Sequence, residues 1–349
     1  MSAYSILQQE LMTAPRTWLV TGVAGFIGAH LLESLLRLDQ RVVGLDNFMT
    51  GSPESLQRVR KAVSEAQWQR FIFHEGSVTD LDVCRAVTGG VDYVLHKAGF
   101  VSVPLSIEQP AACHDINVTG THNVLLASRD NQVRRVVYAS SSAVYGDDAR
   151  MPKAEEQIGR PLSPYGASKL IGELYAALFV KHYGLECIGL RYFNVFGPGQ
   201  SPFGGYAAVI PQWITTLLEG KDCRIHGDGS ATRDFCHVAN VVQANLLAAT
   251  SSNPAAIGQV YNVALGGSTT LNALYAMICA KLAAIHGIAA RPIHYGPPRA
   301  GDILHSSADI SAIQRDLSFT PEVSVEEGLE ETVRWYAGPL TPSVHKSDT

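Results

Sequence analysis

The chain has 349 residues, 46% hydrophobic and 17% charged, enough to bury a sizeable core in one large domain or two ordinary ones. Its net charge of −5 offers no general attraction to nucleic acid or an anionic membrane surface, and no apolar run reaches the roughly 18 residues of a membrane span. Six scattered cysteines (84, 113, 187, 223, 236, 279) without a CxxC predict reduced thiols and a cytoplasmic setting, and twelve histidines without HxxxH-like spacing predict no metal site.

Residues 1–14 lack the basic-then-apolar layout of a signal peptide and are expected to form an extra helical turn or a loose arm. Arg16 to Thr21 (RTWLVT) predicts a short strand that runs into Gly22-Val-Ala-Gly25-Phe-Ile-Gly28. A helical pattern with Leu31, Leu32, Leu35 and Leu36 follows. Strand, glycine turn and helix in that order are the context a dinucleotide fingerprint requires. Gly22 would make the tight turn, Gly25 would admit a pyrophosphate, and Gly28 would let the helix pack close, with Phe26 and Ile27 between them. The helix N-terminus would face the phosphates. A second strand, Arg41 to Leu45, ends at Asp46, followed by Asn47. An acid there accepts hydrogen bonds from the adenosine ribose hydroxyls and repels a 2′-phosphate, so the predicted cofactor is NAD and not NADP.

A third strand (Phe71-Ile-Phe-His) precedes Gly76-Ser77-Val78, and a fourth, Val91 to His96, ends at Lys97-Ala98-Gly-Phe100. Asn117 opens a helix to about Asp130. Arg135 to Ser140 predicts a fifth strand, carrying Ser141 and Ser142 out of its C-terminal end. Serine runs favour turns, but this one sits where a doubly wound sheet places its ligands. Tyr165 and Lys169 are spaced i, i+4, so a helix puts both on one face, where an ammonium can stabilise a phenolate and suit the tyrosine to accept a proton. An isolated pair of this kind is more often a surface feature; here it follows a strand-end serine run. The helix Tyr165 to Tyr183 is apolar nearly all round, which predicts a sheet on one side and a partner subunit on another. Leu185 to Tyr192 predicts a sixth strand. After Gly199 the βα rhythm gives way to shorter elements.

TGVAGFIG, Asn117-Val-x-Gly-Thr, SSSAVYG, YxxxK and RYFNVFGP, in that order, resemble the extended short-chain dehydrogenase/reductase superfamily over roughly residues 15–338. LRYFNVFGPGQ, GGYAAVIPQW, GDGSATRDFCHV and GD…HSSADIS resemble, within it, the UDP-hexose 4-epimerases. The nearest resemblance is to the bacterial UDP-N-acetylglucosamine 4-epimerases of surface-polysaccharide synthesis. The resemblance implies an α/β fold: a Rossmann doubly wound parallel sheet over 15–198, with later segments (about 235–265) returning to it. A smaller UDP-sugar-binding domain would occupy 199–338, with 1–14 and 339–349 as flexible termini. It also implies a homodimer joined through a four-helix bundle.

The site residues follow in the same way. Tyr165 is implied as the base for the sugar 4-hydroxyl, Lys169 as the holder of the nicotinamide ribose, and Ser141 as a hydrogen-bond partner of the same sugar oxygen. Hydride would pass from sugar C4 to NAD, leaving a 4-keto sugar that turns and takes the hydride back on its other face. Asn47, Ser77, Val78 and Ala98 would join Asp46 and the glycine turn around NAD. Arg233 and Arg299 would clamp the UDP pyrophosphate, beside Asp302. Asn194 would touch the pyrophosphate or sugar, and Ala208, Val209, Ile225 and His226 the uracil. Ser102, Ser142, Gln200 and Ser306 would line the sugar, with Ser306 where enzymes limited to plain hexoses carry a bulky tyrosine. The chain departs from the family pattern at Ser77, Lys97, Val101 and Leu105. A 4,6-dehydratase needs an Asp-Glu pair after the strand-end serine, where this chain has Ser142 and Ala143. UDP-glucose or UDP-glucuronate 4-epimerases, and an inactive NAD-binding regulatory protein, are the alternatives to an N-acetylhexosamine enzyme.

Overall fold

A computed structural model describes residues 1–203, 208–297 and 304–338. Its centre is a seven-stranded sheet. The strands in sequence are β1 (Thr17–Thr21), β2 (Arg41–Asp46), β3 (Phe71–Glu75), β4 (Tyr93–His96), β5 (Arg135–Ser141) and β6 (Glu186–Tyr192). A later strand, Val260–Val263, completes it and is β8 here, because β7 (Cys223–His226) precedes it outside the sheet. The spatial order is β8-β6-β5-β4-β1-β2-β3, and every neighbouring pair is parallel. A parallel sheet covered on both faces calls for near-continuous apolar strands, and β4, β5 and β6 have that character. Strand order reverses between β1 and β4, which opens a crevice at their C-terminal ends.

Three principal helices lie over one face: α1 (Ala3–Thr13), α2 (Phe26–Arg37) and α6 (Val238–Thr250). The other face is covered by α3 (Gly120–Asp130) and α4 (Pro164–Tyr183). Residues 1–14 are not a loose arm. Ser2 caps α1, and Tyr4, Leu7 and Leu11, at i, i+3 and i+7, are buried in the main core, so the arm is a docked three-turn helix. The core beyond the sheet gathers α5 (Val209–Leu218), β7, α7 (Leu271–His286) and α8 (Val325–Tyr336) around Phe196, Trp213, Leu274, Ile278 and Leu329. There β7 pairs in parallel with β9 (Ile293–Gly296). Among the described residues no helix is long and apolar enough to cross a membrane, and all six cysteines are free and buried.

Candidate functional site

Gly22 and Gly28 have no room for a side chain. Gly22 has φ +69°, and a Cβ there would lie 2.7 Å from the Ala98 nitrogen. A Cβ on Gly28 would come within 2.0 Å of the Gly22 carbonyl oxygen. These contacts bring the N-terminus of α2 against the ends of β1 and β4. Gly25 caps α2 without a side-chain hydrogen bond, and no acid occupies the first turn. The first-turn N–H groups around Phe26, Ile27 and Gly28 are thus left to an outside anion. Asp46 is buried at the end of β2. Its carboxylate accepts hydrogen bonds from Ala24 N (2.9 Å) and Phe48 N (2.8 Å), locking the glycine loop to β2. A carboxylate has about four acceptor positions, so two remain. Asn47 turns outward and accepts from Met49 N. The Ser77 hydroxyl holds Thr79, Val78 is buried, and Ala98 N donates to Thr21 Oγ1.

The catalytic candidates converge at the C-terminal end of β5. Ser163 caps α4 by accepting from Gly166 N, with Pro164 in its first turn, so the helix starts one residue before Tyr165. Lys169 Nζ donates to Ala139 O at 3.1 Å and lies 5.8 Å from the centre of the Tyr165 ring. Sequence alone suggested that this ammonium lowers the tyrosine's pKa. In the folded chain burial is the largest influence and raises it, while a hydrogen bond with Ser141 pulls the other way. Burial also lowers Lys169, to about 8. Ser141 Oγ accepts from Ala143 N, which aims the hydroxyl back over the strand end.

Several further residues organise this site, and sequence assigned them no role in it beyond the motifs that contain Asn117 and Tyr145. The Asn117 side chain accepts from Phe100 N (2.7 Å) and donates to Phe100 O and to Ser168 Oγ, tying the loop after β4 to α4. Glu173 on α4 accepts from Ser140 Oγ (2.5 Å) and from Arg191 on β6 (2.9 and 2.8 Å). Arg191 in turn donates to Tyr145 Oη, and Tyr145 Oη donates to Asn262 Oδ1 on β8. His96 bridges Thr21 and Thr121, and burial followed by the charges of Lys169 and Lys97 lowers it to about 3, so it is neutral. For Glu173 and His96 the sequence signal was polarity inside otherwise apolar segments.

On the substrate side, a segment from Leu304 to Ile310 crosses between the two cores. Ser306 N donates to Thr232 O, Lys153 N to Ser307 O, and Ala308 N to Asp234 Oδ2. Burial raises Asp234 to about 6, against four backbone N–H groups that hold its charge. Arg233 donates to Thr232 O and Leu304 O, so Arg233 and Ser306 share one corner. Asn194, at φ +30°, donates to Asp234 O. Gln200 donates to Val195 O, and its own Oε1 is buried with no partner among the described residues. Ala208 and Val209 begin α5. Ile225 is buried in the second core and His226 bonds Pro297 O. Ser102 caps a short helix through Leu105 N, and Ser142 lies half-buried beside Ser141. Arg299 and Asp302 lie outside the described residues.

Residues 18–264 match the model of the NAD dependent epimerase/dehydratase family. A UDP-glucose 4-epimerase from Mycolicibacterium smegmatis is 34% identical over 320 residues, 91% of this chain and 97% of that one. The solved UDP-N-acetylglucosamine 4-epimerase from Methanobrevibacter ruminantium, in complex with UDP-N-acetylmuramic acid, is 37% identical with a TM-score of 0.84 over 92% of this chain and 98% of that one. The Thermus thermophilus UDP-glucose 4-epimerase, in complex with NAD, is 31% identical with a TM-score of 0.78 over 93% and 99%.

Proposed function

The chain belongs to the NAD dependent epimerase/dehydratase family, and from that premise we propose that it is a UDP-sugar 4-epimerase that interconverts UDP-N-acetylglucosamine and UDP-N-acetylgalactosamine for surface-polysaccharide precursors. The observation that carries the reaction type is the Ser141–Tyr165–Lys169 group at the end of β5, with no carboxylate in the two places after Ser141. Without that acid pair the site can move a proton at one hydroxyl but cannot eliminate water from neighbouring carbons.

The glycine turn, the uncapped start of α2 and the spare acceptor positions of Asp46 suit NAD. When bound, NAD supplies the acceptor and donor of hydride at sugar C4. The chain's own residues do the rest. Tyr165 takes the proton of the 4-hydroxyl, with Ser141 bonded to the same oxygen, and returns it once the opposite face of the sugar has been presented. Lys169 holds the ribose end of the cofactor, its ammonium over the phenol ring. Arg233 grips the diphosphate as a guanidinium fork suits phosphate oxygens. Conversion of UDP-N-acetylglucosamine, followed by chromatography for UDP-N-acetylgalactosamine, tests the reading; UDP-glucose and UDP-glucuronate run in parallel. Turnover confined to either of the latter would overturn the choice of sugar.

The preference for N-acetylated sugars rests on Ser306. A serine leaves room beside the sugar that a phenol ring would fill, and overpacking of this kind costs ~1–3 kcal/mol. Ser306→Tyr is expected to lose N-acetylated substrates by about tenfold or more while keeping plain hexoses. If both classes fall together, Ser306 is not the gate. Val101, 64% exposed, would then be the next position to change.

The dimer follows from α4. Leu174 (59% exposed), Tyr175 and Leu178 (47%) form an apolar stripe on a helix whose other side packs on the sheet. His122 of α3 meets Tyr175 edge-on at 5.2 Å, so the two helices present one surface. Two copies would close it as four helices. Light scattering at micromolar concentration should give twice the chain mass for the wild type and the chain mass for Leu174→Glu/Leu178→Glu. A monomeric wild type ends this proposal.

A further inference from the structure

Lys97 stands at the end of β4, and its side chain is not used by the mechanism above. Its Nζ donates to Val137 O at 3.1 Å and lies 5.6 Å from the centre of the Tyr192 ring. Lys169 makes the corresponding bond to Ala139 O. Val137 and Ala139 are two residues apart on β5, so their carbonyls share a side and sit about 6.6 Å apart. Two ammonium groups therefore meet carbonyls of one strand, Lys169 nearer its C-terminal end and Lys97 two residues further in. They come from opposite faces of the sheet: Lys169 from α4, and Lys97 from the side of Tyr192, which hydrogen-bonds Asn245 of α6. The adjacent His96 turns the other way, to Thr121 on α3.

Among the described residues no carboxylate pairs with Lys97. Burial, then the charge of Lys169, holds its pKa well below the usual lysine value. Placing a cation there works against stability, because its desolvation is compensated by one carbonyl and a ring face. The direction of the side chain says which part of a dinucleotide it serves. Its backbone lies beside Thr21 and the glycine turn, but its head crosses β5 toward β6, away from β1 and the N-terminus of α2. That is away from the diphosphate and toward the end occupied by Tyr165 and Lys169.

We propose that Lys97 biases this cleft toward the reduced, uncharged nicotinamide over the oxidised, cationic ring, and so makes bound NAD a stronger hydride acceptor. The charge balance supplies the reason. A hydride leaving sugar C4 carries an electron pair to the ring and cancels its positive charge, while the hydroxyl proton goes to Tyr165. A protonated Lys97 in the same low-dielectric space repels the ring before transfer and not after. The inference rests on the reading of this cleft as an NAD site, and is independent of which sugar is turned over.

The test uses full-length, cofactor-loaded protein equilibrated with equal free NAD⁺ and NADH, desalted, and extracted to measure the bound ratio. Lys97→Met should lower bound NADH:NAD⁺ about tenfold. Lys97→Gln, a second neutral variant, should match it. Lys97→Arg, which keeps the charge, should stay within about threefold of wild type. Thermal midpoints of the neutral variants should not fall, because an uncompensated cation has been removed. A Lys97→Met ratio within about twofold of wild type, or an equal fall in the methionine and arginine variants, overturns the proposal. Wild-type protein that retains neither nucleotide overturns the cofactor reading and this inference with it.

Discussion

Tyr165→Phe is expected to lower turnover by about 10²–10⁴-fold, the usual contribution of a positioned general base, while UDP-sugar and NAD remain bound. The substitution removes one oxygen and little else. The ring stays beneath Lys169, the backbone N–H of residue 165 still donates to Ser106 Oγ, and the Ser163 cap on α4 is untouched. The pH profile should carry a second signature. Burial raises the Tyr165 phenol above its ordinary range, so at neutral pH it is predominantly protonated. Turnover limited by the fraction able to accept a proton rises with pH on the acid side, and that rise should vanish in the phenylalanine variant. Initial rates between pH 6 and pH 9, by chromatography of the two epimers, check both points. A variant within tenfold of wild type at every pH would remove Tyr165 from its assigned role.

Glu173→Ala should destabilise the fold by about 3–5 kcal/mol, the typical cost of removing one partner from a buried ion pair. Arg191 would lose both carboxylate contacts where its side chain is only 5% exposed. Ser140 Oγ, one residue before the proposed site residue Ser141, would lose its acceptor. In a chain of this size that loss corresponds to a thermal midpoint lower by roughly 4–7 °C. A circular dichroism melt measures it. The double variant Glu173→Leu/Arg191→Met should regain much of the loss, because it leaves no buried charge uncompensated. A single variant that melts within about 3 °C of wild type would show that the network does not hold α4 to β6.

Much of the candidate site could be proposed from sequence because its parts are local in the chain. Gly22, Gly25, Gly28 and Asp46 fall within one βαβ unit, where a tight turn, a close helix and an acid at the next strand end each need a particular residue type. Tyr165 and Lys169 share a helix face at i, i+4 whatever surrounds the helix. The six sheet strands from β1 to β6 could be read as apolar runs between helical patterns, with boundaries off by one or two residues. The apolar circumference of α4 was visible for the same reason, since it is a property of one helix.

Tertiary structure decided what depends on residues distant in sequence. Pairing of β8 with β6 joins Val260–Val263 to Gly189–Tyr192, and no local pattern specifies that partner. Nothing in the sequence joins Glu173 on a helix to Arg191 on a strand; only the packing of α4 on β6 makes them a buried pair. The tyrosine's pKa shows the limit most directly. From the i, i+4 spacing Lys169 ought to lower it, but the fold draws the ammonium to Ala139 O and encloses the phenol, so burial raises it against the hydrogen bond with Ser141. Spacing along a helix determines which groups are neighbours. How much water each of them keeps, and which carbonyl it turns to, is set by the other elements that close around it.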